Sequence, residues 1–130
     1  NKQYAQPSRY TFLKQNYDTA LDIDDDFDLL LSQYAGFVSQ AGKQYLKKGG
    51  IFVANNSHGD ATMAHLDKDF KLIAVAKHTK QAWRLSEEKL EQYFIRKDRQ
   101  NDSKKELLKT GKGPGYVTSA TCYIFQYKGK

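Results

Sequence analysis

Short apolar runs alternate with polar segments along the chain, at spacings that predict an α/β domain. Phe27–Gln33 (FDLLLSQ) and Ile51–Ala54 (IFVA) are almost unbroken apolar runs, joined by Ala35–Leu46, which has apolar residues at helical spacing. Such a pair is typical of neighbouring parallel strands that are buried on both faces. Two more runs, Phe70–Lys77 (FKLIAVAK) and Thr121–Tyr127 (TCYIFQY), predict further strands of the same sheet.

The remaining elements rest on weaker local patterns. Arg9–Tyr17 is rich in aromatic and β-branched residues and predicts a strand, and Lys80–Leu85 predicts a hairpin partner for the strand before it. The strand that ends at Tyr127 is expected to begin near Tyr116. Capping residues and apolar spacing predict three further helices: from Ser57 or Asp60 to Asp67, from Ser86 through Phe94, and from Ser103 to Lys109.

Length and composition predict one globular domain over residues 1–130. Hydrophobic residues make up 39% of the chain and charged residues 28%, which is typical of a folded domain. No apolar run approaches the roughly 20 residues of a membrane span, and the polar start NKQYAQPSRY lacks the apolar core of a signal peptide. The single cysteine, Cys122, lies in an apolar strand and predicts a buried thiol in a reducing compartment. We therefore expect a cytoplasmic protein that does not contact membranes.

The formal net charge of +6 is unevenly distributed. Residues 1–70 carry 7 basic and 9 acidic groups, whereas residues 71–130 carry 14 basic and 6 acidic groups. A basic half attracts phosphate-bearing partners. However, its lysines are interspersed with acidic residues, as on an ordinary solvated helical surface. Binding of nucleic acid therefore stays an alternative.

Polar residues follow the first two buried strands directly. Ligands of open α/β sheets bind at the carboxyl ends of the strands, which draws attention to two short segments: Ser32-Gln33-Tyr34 and Asn55-Asn56-Ser57-His58. Tyr34 is suited to stacking on a ligand. His58 fits a proton acceptor or a polar contact to a substrate, and equally a capping residue of the loop.

Metal and phosphate motifs fail on specific positions. The acidic run that begins at Asp22 has Phe27 where a calcium loop needs glycine and Gln33 where it needs a bidentate glutamate. His58 and His65 can share a helix face, but two good ligands are too few for a metal site. The GKGPG run lacks the strand and the Lys-Ser/Thr ending of a phosphate loop. No metal site is predicted.

The order of these parts resembles the second half of a class I S-adenosylmethionine-dependent methyltransferase, above all FDLLLSQ, YLKKGGIFVANNSHGDA and ATCYIFQY. The resemblance implies a Rossmann-like three-layer sandwich whose mostly parallel sheet has an antiparallel C-terminal strand pair and the strand order 3-2-1-4-5-7-6. Phe27–Gln33 and Ile51–Ala54 would be the fourth and fifth strands, Phe70–Lys77 and Thr121–Tyr127 the antiparallel pair, and Arg9–Tyr17 the third strand.

The resemblance also implies S-adenosylmethionine as the cofactor and gives roles to matching positions. Methyl transfer is an in-line displacement from a sulfonium, so it depends more on positioning than on a strong base. The implied roles are catalytic for His58 and Tyr34, cofactor-binding for Asn16, Ser32 and Gln33, and substrate-binding for Asn55, Asn56, Ser57 and Asp60.

Two parts of the family pattern are missing from the sequence. They are the Gly-rich turn after the first strand and the acidic residue that grips the ribose. At roughly 30 residues per βαβ unit, both strands would need about 60 residues upstream of Asn1. The chain is thus expected to be an N-terminally incomplete portion, inactive alone. An N-terminal piece would complete it, or the open edge of the fourth strand would pair with another copy.

The acceptor is left undefined. Ser32-Gln33-Tyr34-Ala35 stands where amino-group methyltransferases have Asn/Asp-Pro-Pro-Tyr/Phe, which argues against methylation of adenine or glutamine nitrogen by that mechanism. Two other functions remain open. One is a non-catalytic α/β module that binds nucleic acid or an acidic protein through the basic half, and the other is a different doubly wound nucleotide-binding protein.

Overall fold

The computed structural model describes residues 6–24 and 26–129, so that Asn1 and Asp25 lie outside it. The described chain has five strands and three short helices: β1 (Phe27–Ser32), α1 (Val38–Gly42), β2 (Leu46–Ala54), α2 (Asp60–Leu66), β3 (Phe70–His78), β4 (Trp83–Ser86), α3 (Lys104–Thr110) and β5 (Cys122–Tyr127). Single 3₁₀ turns lie at Lys43–Tyr45 and Leu90–Gln92. No helix in these two ranges is long and apolar enough to cross a membrane.

The five strands form one mixed sheet in the order β1-β2-β5-β3-β4. β1 and β2 are parallel, whereas the β2–β5, β5–β3 and β3–β4 ladders are all antiparallel. The expected mostly parallel, Rossmann-like three-layer sandwich is therefore wrong. The chain is a small α/β domain with a mostly antiparallel sheet, because β5 is inserted between β2 and β3 and runs against both.

The parallel pair is built around a short crossover through α1. Leu30 lies beside Phe52 and Ser32 beside Ala54, so the apolar side chains of both strands alternate between the two faces. The helix predicted over Ala35–Leu46 is shorter than expected. Gly49, expected just after it, lies inside β2 at φ +85°, where the ladder is irregular.

The core fills the space between one face of the sheet and the helices. α2 contributes Ala61 and Ala64 to the same apolar cluster as Phe52 and Phe125. α1 approaches this face too, since a side chain at Gly42 would meet the δ-carbons of Leu30. Burial of each large apolar side chain stabilises the fold by roughly 1.5–3 kcal/mol. Because the helices pack on one face of the sheet, the domain has two layers.

Two further sequence-based elements differ from the structure. Arg9–Tyr17 is irregular and not a strand, and within it Gln15 Oε1 accepts from the Asp22 N–H at 3.2 Å. The helix expected from Ser86 shrinks to one 3₁₀ turn. Lys89 and Phe94 adopt left-handed φ angles of 54° and 64°, which no helix can contain.

The hairpin and the last strand agree better with the sequence pattern. β4 pairs with β3 as a hairpin, and the predicted partners β3 and β5 are antiparallel neighbours. β5 begins only at Cys122, because the residues before it cross the ends of β1 and β2. Tyr116 there forms an isolated bridge with Arg96.

Candidate functional site

A cleft of about 430 Å³ lies at the carboxyl ends of β1 and β2. One wall comes from the residues that follow these strands: Tyr34, Asn55, Asn56 and Ser57. The other wall is formed by residues 114–116 and 119–121, together with Lys97 and Tyr123. The Asp and Glu residues of the described chain all lie outside this lining, so Lys97 is its single charged group. The cleft is suited to a neutral or anionic polar ligand.

Tyr34 stands at the mouth of the cleft in an uncommon conformation. Its φ angle of 55° is left-handed, which is costly for a residue with an aromatic side chain. The Tyr34 N–H donates a hydrogen bond of 3.2 Å to Asn55 Oδ1, which ties the end of β1 to the end of β2. The ring itself is 73% exposed and has no part in the core. The left-handed backbone of Tyr34 and its hydrogen bond to Asn55 thus place an exposed aromatic ring beside the cleft.

Asn56 shapes the floor of the cleft and uses its amide for structure. Its Oδ1 accepts from the Thr62 N–H at 2.9 Å, and its Nδ2 donates to Thr62 Oγ1 at 2.9 Å. A Cβ at Gly113 would overlap the carbonyl oxygen of Asn56, so the opposite wall approaches closely. Asn56 therefore positions α2 and the turn at residues 113–115.

A chain of buried polar groups continues beneath the cleft. The Thr62 hydroxyl lies 2.7 Å from the Tyr116 hydroxyl, which in turn donates to Asp102 Oδ2 at 2.6 Å. Burial and the hydrogen bond to Asp102 raise the pKa of Tyr116, so its phenol stays protonated. This phenol fixes the wall formed by residues 114–116.

Arg96 closes the same network and is fully engaged by carboxylates. Its guanidinium donates two hydrogen bonds to Asp98, at 2.9 and 2.6 Å, and two to Glu106, at 2.8 and 3.2 Å. Asp102 Oδ1 lies 3.6 Å away as a third acidic neighbour. Hydrogen bonds from Arg96 lower the pKa of Asp98 and of Glu106. Arg96 is thus a structural cation.

Asp60 lies at the start of α2, where its carboxylate faces α1 and not the cleft. Both of its oxygens lie 3.1 Å from the Ser39 N–H, and the carboxyl is almost fully buried. Burial raises the pKa of Asp60 to about 6, although hydrogen bonds from Ser39 and Val38 oppose the rise. Asp60 therefore joins α2 to α1.

The other expected site residues are dispersed. Asn16 accepts from the Asp18 N–H at 3.4 Å in a local turn, and Ser32 is buried at the end of β1. Gln33 Nε2 lies 3.6 Å from Cys122 Sγ. His58 is exposed and lies outside the lining of the cleft. The structure therefore brings together only Tyr34 and the Asn55-Asn56-Ser57 segment.

The three residues expected to bind S-adenosylmethionine make different contacts. Asn16 lies in a local turn, Ser32 is buried at the end of β1, and Gln33 lies beside Cys122. No Gly-rich turn that could cradle the cofactor follows a strand end in residues 6–24 and 26–129. Across these same ranges, no group of three or more His, Cys, Asp or Glu side chains is placed to hold a metal ion.

Sequence reasoning missed the far wall of the cleft. Lys97, Tyr116 and Ser119 follow no strand end, and only the turn at residues 113–115, which the sequence predicts, points to a change of direction there. The contact of that turn with Asn56 joins positions far apart along the chain.

No protein-family model, curated protein or solved structure matches the chain.

Proposed function

We propose that the cleft binds the acceptor in an S-adenosylmethionine-dependent methyl transfer. The observation that carries the proposal is the order of neighbouring strands. The resemblance implies the order 4-5-7-6 for the segments concerned, and β1, β2, β5 and β3 lie side by side in that order. This arrangement supports a role for the polar residues that follow β1 and β2, which is where the resemblance puts the acceptor.

The lining of the cleft is suited to orienting an acceptor. Tyr34 offers an exposed ring, Asn55 and Ser57 offer hydrogen-bonding groups, and Lys97 offers a positive charge. Orientation is the main requirement of an in-line methyl transfer. Because carboxylates lie outside the lining and His58 lies outside it too, the best acceptor is one that needs no strong base to lose a proton.

The proposal assigns the acceptor to the cleft. S-adenosylmethionine would supply the methyl group, and the resemblance assigns its binding to Asn16, Ser32 and Gln33. The residues that act in the cleft bind and orient the acceptor, and Tyr116 and Asn56 hold the two walls in position.

S-adenosylhomocysteine, the product of the cofactor, provides the test. Amide NMR spectra of the ¹⁵N-labelled protein would be recorded with millimolar S-adenosylhomocysteine and, as a control, millimolar adenosine. We expect S-adenosylhomocysteine to shift the amides of Gln33 and Tyr34, because the resemblance assigns cofactor binding to Gln33, directly before Tyr34. The shift of Gln33 should be lost in Tyr34→Ala, whereas Tyr10→Ala should retain it. Spectra that S-adenosylhomocysteine leaves unchanged would remove the support for methyl transfer.

A second function, binding of nucleic acid, is favoured by the hairpin of β3 and β4. Lys77 lies directly opposite Arg84, a like-charge pair that costs roughly 0.2–1 kcal/mol. Residues 70–86 carry four basic groups and no acidic group. Trp83 is exposed and packs against His78, with ring centroids 4.7 Å apart and the ring planes tilted by 44°. A basic hairpin with an exposed aromatic ring is suited to phosphates and bases.

Trp83 is the single tryptophan of the chain, so its fluorescence reports on this hairpin directly. Titration with single-stranded oligonucleotide is expected to quench Trp83, and the affinity is expected to fall steeply with salt. Arg84→Gln should weaken binding severalfold, whereas Lys105→Gln on α3 should not. Fluorescence that stays constant at low salt would count against this function.

A further inference from the structure

The sheet has a second face that the helices do not cover. The helices lie on the face that bears Leu30, Phe52 and Phe125, as their shared apolar cluster and the approach of Gly42 to Leu30 show. Leu29 and Leu31 point to the opposite side, where their side chains are 56% and 61% exposed. Exposed leucines on neighbouring positions of one face are unusual for an isolated domain.

These leucines belong to an apolar surface that crosses the whole sheet. Leu29 pairs with Ile51 and Leu31 with Val53, and Val53 pairs with Ile124 across the next ladder. At the far side, Leu85 on β4 is 65% exposed. We call this surface the open face and define it by six residues: Leu29, Leu31, Ile51, Val53, Ile124 and Leu85.

The open face is large enough to serve as a binding surface. With strands about 4.8 Å apart and about 3.3 Å per residue, the five strands span roughly 300–400 Å² on this face, and the six residues of the open face cover part of that area. Patches of a few hundred Å² on soluble domains commonly mark interaction sites. The solvated face of an antiparallel sheet is usually polar, so exposed leucines at Leu29 and Leu31 are unusual in this sheet.

Two lysines lie at one end of the open face, Lys71 on β3 and Lys128 just after β5. Lys71 pairs with Gln126 on this side of the sheet, and Lys128 Nζ donates to Gln126 Oε1 at 2.8 Å. Asp28 is the single acidic residue of the five strands, and it pairs with Lys47 at 3.4 Å. A second copy would bring another chain of net charge +6, whereas an acidic partner would be attracted.

We propose that the open face binds an acidic amphipathic helix of a partner protein. A helix presents an apolar stripe of about 100° flanked by polar residues, and helices are the elements that usually cover the faces of parallel strands. The stripe would pack on the six residues of the open face, while carboxylates beside it meet Lys71 and Lys128. This inference does not depend on the methyl-transfer proposal, because the cleft shares no residue with the open face.

Two synthetic helical peptides test the proposal by fluorescence anisotropy. Both carry the same leucine stripe, and their polar faces consist of glutamate in one and lysine in the other. We expect the glutamate peptide to bind at least tenfold more tightly than the lysine peptide. Leu31→Ser should weaken its binding at least fivefold. Leu108→Ser should leave binding unchanged, because Leu108 is equally exposed, at 60%, but lies on α3.

A charge reversal and a sedimentation experiment complete the test. Lys71→Glu should lower affinity for the glutamate peptide and raise it for the lysine peptide, in a protein whose circular dichroism is unchanged. Equal affinity for both peptides, or binding that Leu31→Ser does not weaken, would overturn the proposal. So would a dimer that sediments as such and dissociates in Leu31→Ser, because the occupant would then be a second copy.

Discussion

The hydroxyl of Tyr116 lies 2.6 Å from Asp102 Oδ2 and so connects the wall of the cleft to the segment before α3. The same hydroxyl is 2.7 Å from Thr62 Oγ1 on α2. One phenol therefore joins three separate parts of the chain. Asp102 Oδ1 is buried and has no hydrogen bond within the described chain, so Asp102 relies on Tyr116 and on the charge of Arg96.

Tyr116→Phe should destabilise the protein by about 1–3 kcal/mol, because it leaves a buried carboxylate oxygen without its donor. Urea unfolding followed by circular dichroism measures the change. Tyr10→Phe is the matched control, since Tyr10 is 91% exposed and its hydroxyl removal should stay within about 0.5 kcal/mol. Equal stability of the two variants would mean that the hydrogen bond to Asp102 contributes nothing.

Asp60 should make stability depend on pH between about 4 and 6. Its pKa is raised from 3.8 to about 6 in the folded protein, so the folded state binds the proton more tightly than the unfolded chain. The free energy of unfolding contributed by this group is therefore greatest below pH 4 and falls as the pH rises through 6. The total loss is about 3 kcal/mol.

Asp60→Asn removes this ionisation and isolates its effect. As the pH rises from 4 to 7, the free energy of unfolding of the asparagine variant should increase relative to that of the unmodified protein. The comparison is needed because burial also lowers the pKa of His65. This second group makes the free energy of unfolding increase with pH over a neighbouring range. A difference between the two proteins that is constant with pH would show that Asp60 does not titrate in this range.

Arg84→Glu should stabilise the hairpin by roughly 0.2–1 kcal/mol, because it turns the like-charge pair with Lys77 into an opposite-charge pair. Lys80→Glu changes the net charge equally but lies in the connection between the strands, so its effect should be smaller. Thermal unfolding at low and at high salt measures both. A gain for Arg84→Glu that persists in high salt would exclude the charge pair as its cause.

Alanine substitutions at two glycines with left-handed φ angles distinguish the cost of backbone strain from the cost of a steric clash. Gly49→Ala, at φ +85° with open space around its Cβ, should cost about 1–2 kcal/mol from the backbone alone. Gly59→Ala, at φ +90°, also brings a Cβ to 2.9 Å from Leu107 Cδ2. Its loss of stability in urea should exceed that of Gly49→Ala by about 1–3 kcal/mol. Equal losses would show that Leu107 moves aside at no cost.

Local patterns in the sequence were sufficient for four of the strands. The apolar runs that became β1, β2, β3 and β5 are short and bounded by polar residues, and the polar segment Asn55-Asn56-Ser57 does lie at a strand end. Ser103 likewise caps α3 as its position suggests, accepting from the Glu106 N–H at 3.1 Å. These features depend on neighbours within a few residues.

Features that depend on distant contacts escaped the sequence analysis. The first turn after Ser86 has the composition of a helix, but the left-handed angles at Lys89 and Phe94 prevent one. Phe94 packs instead on His65 and Tyr123. Likewise, nothing local in Lys97 or Tyr116 indicates that they face Asn56 across a cleft. The place of β5 between β2 and β3, in contrast, agrees with the strand order that the resemblance implies.

The central position of β5 has a consequence for how the domain forms during synthesis. β5 follows every other strand along the chain, yet it joins the β1–β2 pair to the β3–β4 hairpin. Until residues 122–127 have left the ribosome, these two halves have no common ladder and Phe52 lacks its neighbour Phe125. Contacts of such long sequence separation form slowly. The complete sheet is therefore expected to form only after β5 has left the ribosome, and until then the nascent chain would expose both halves of the unfinished sheet to chaperones.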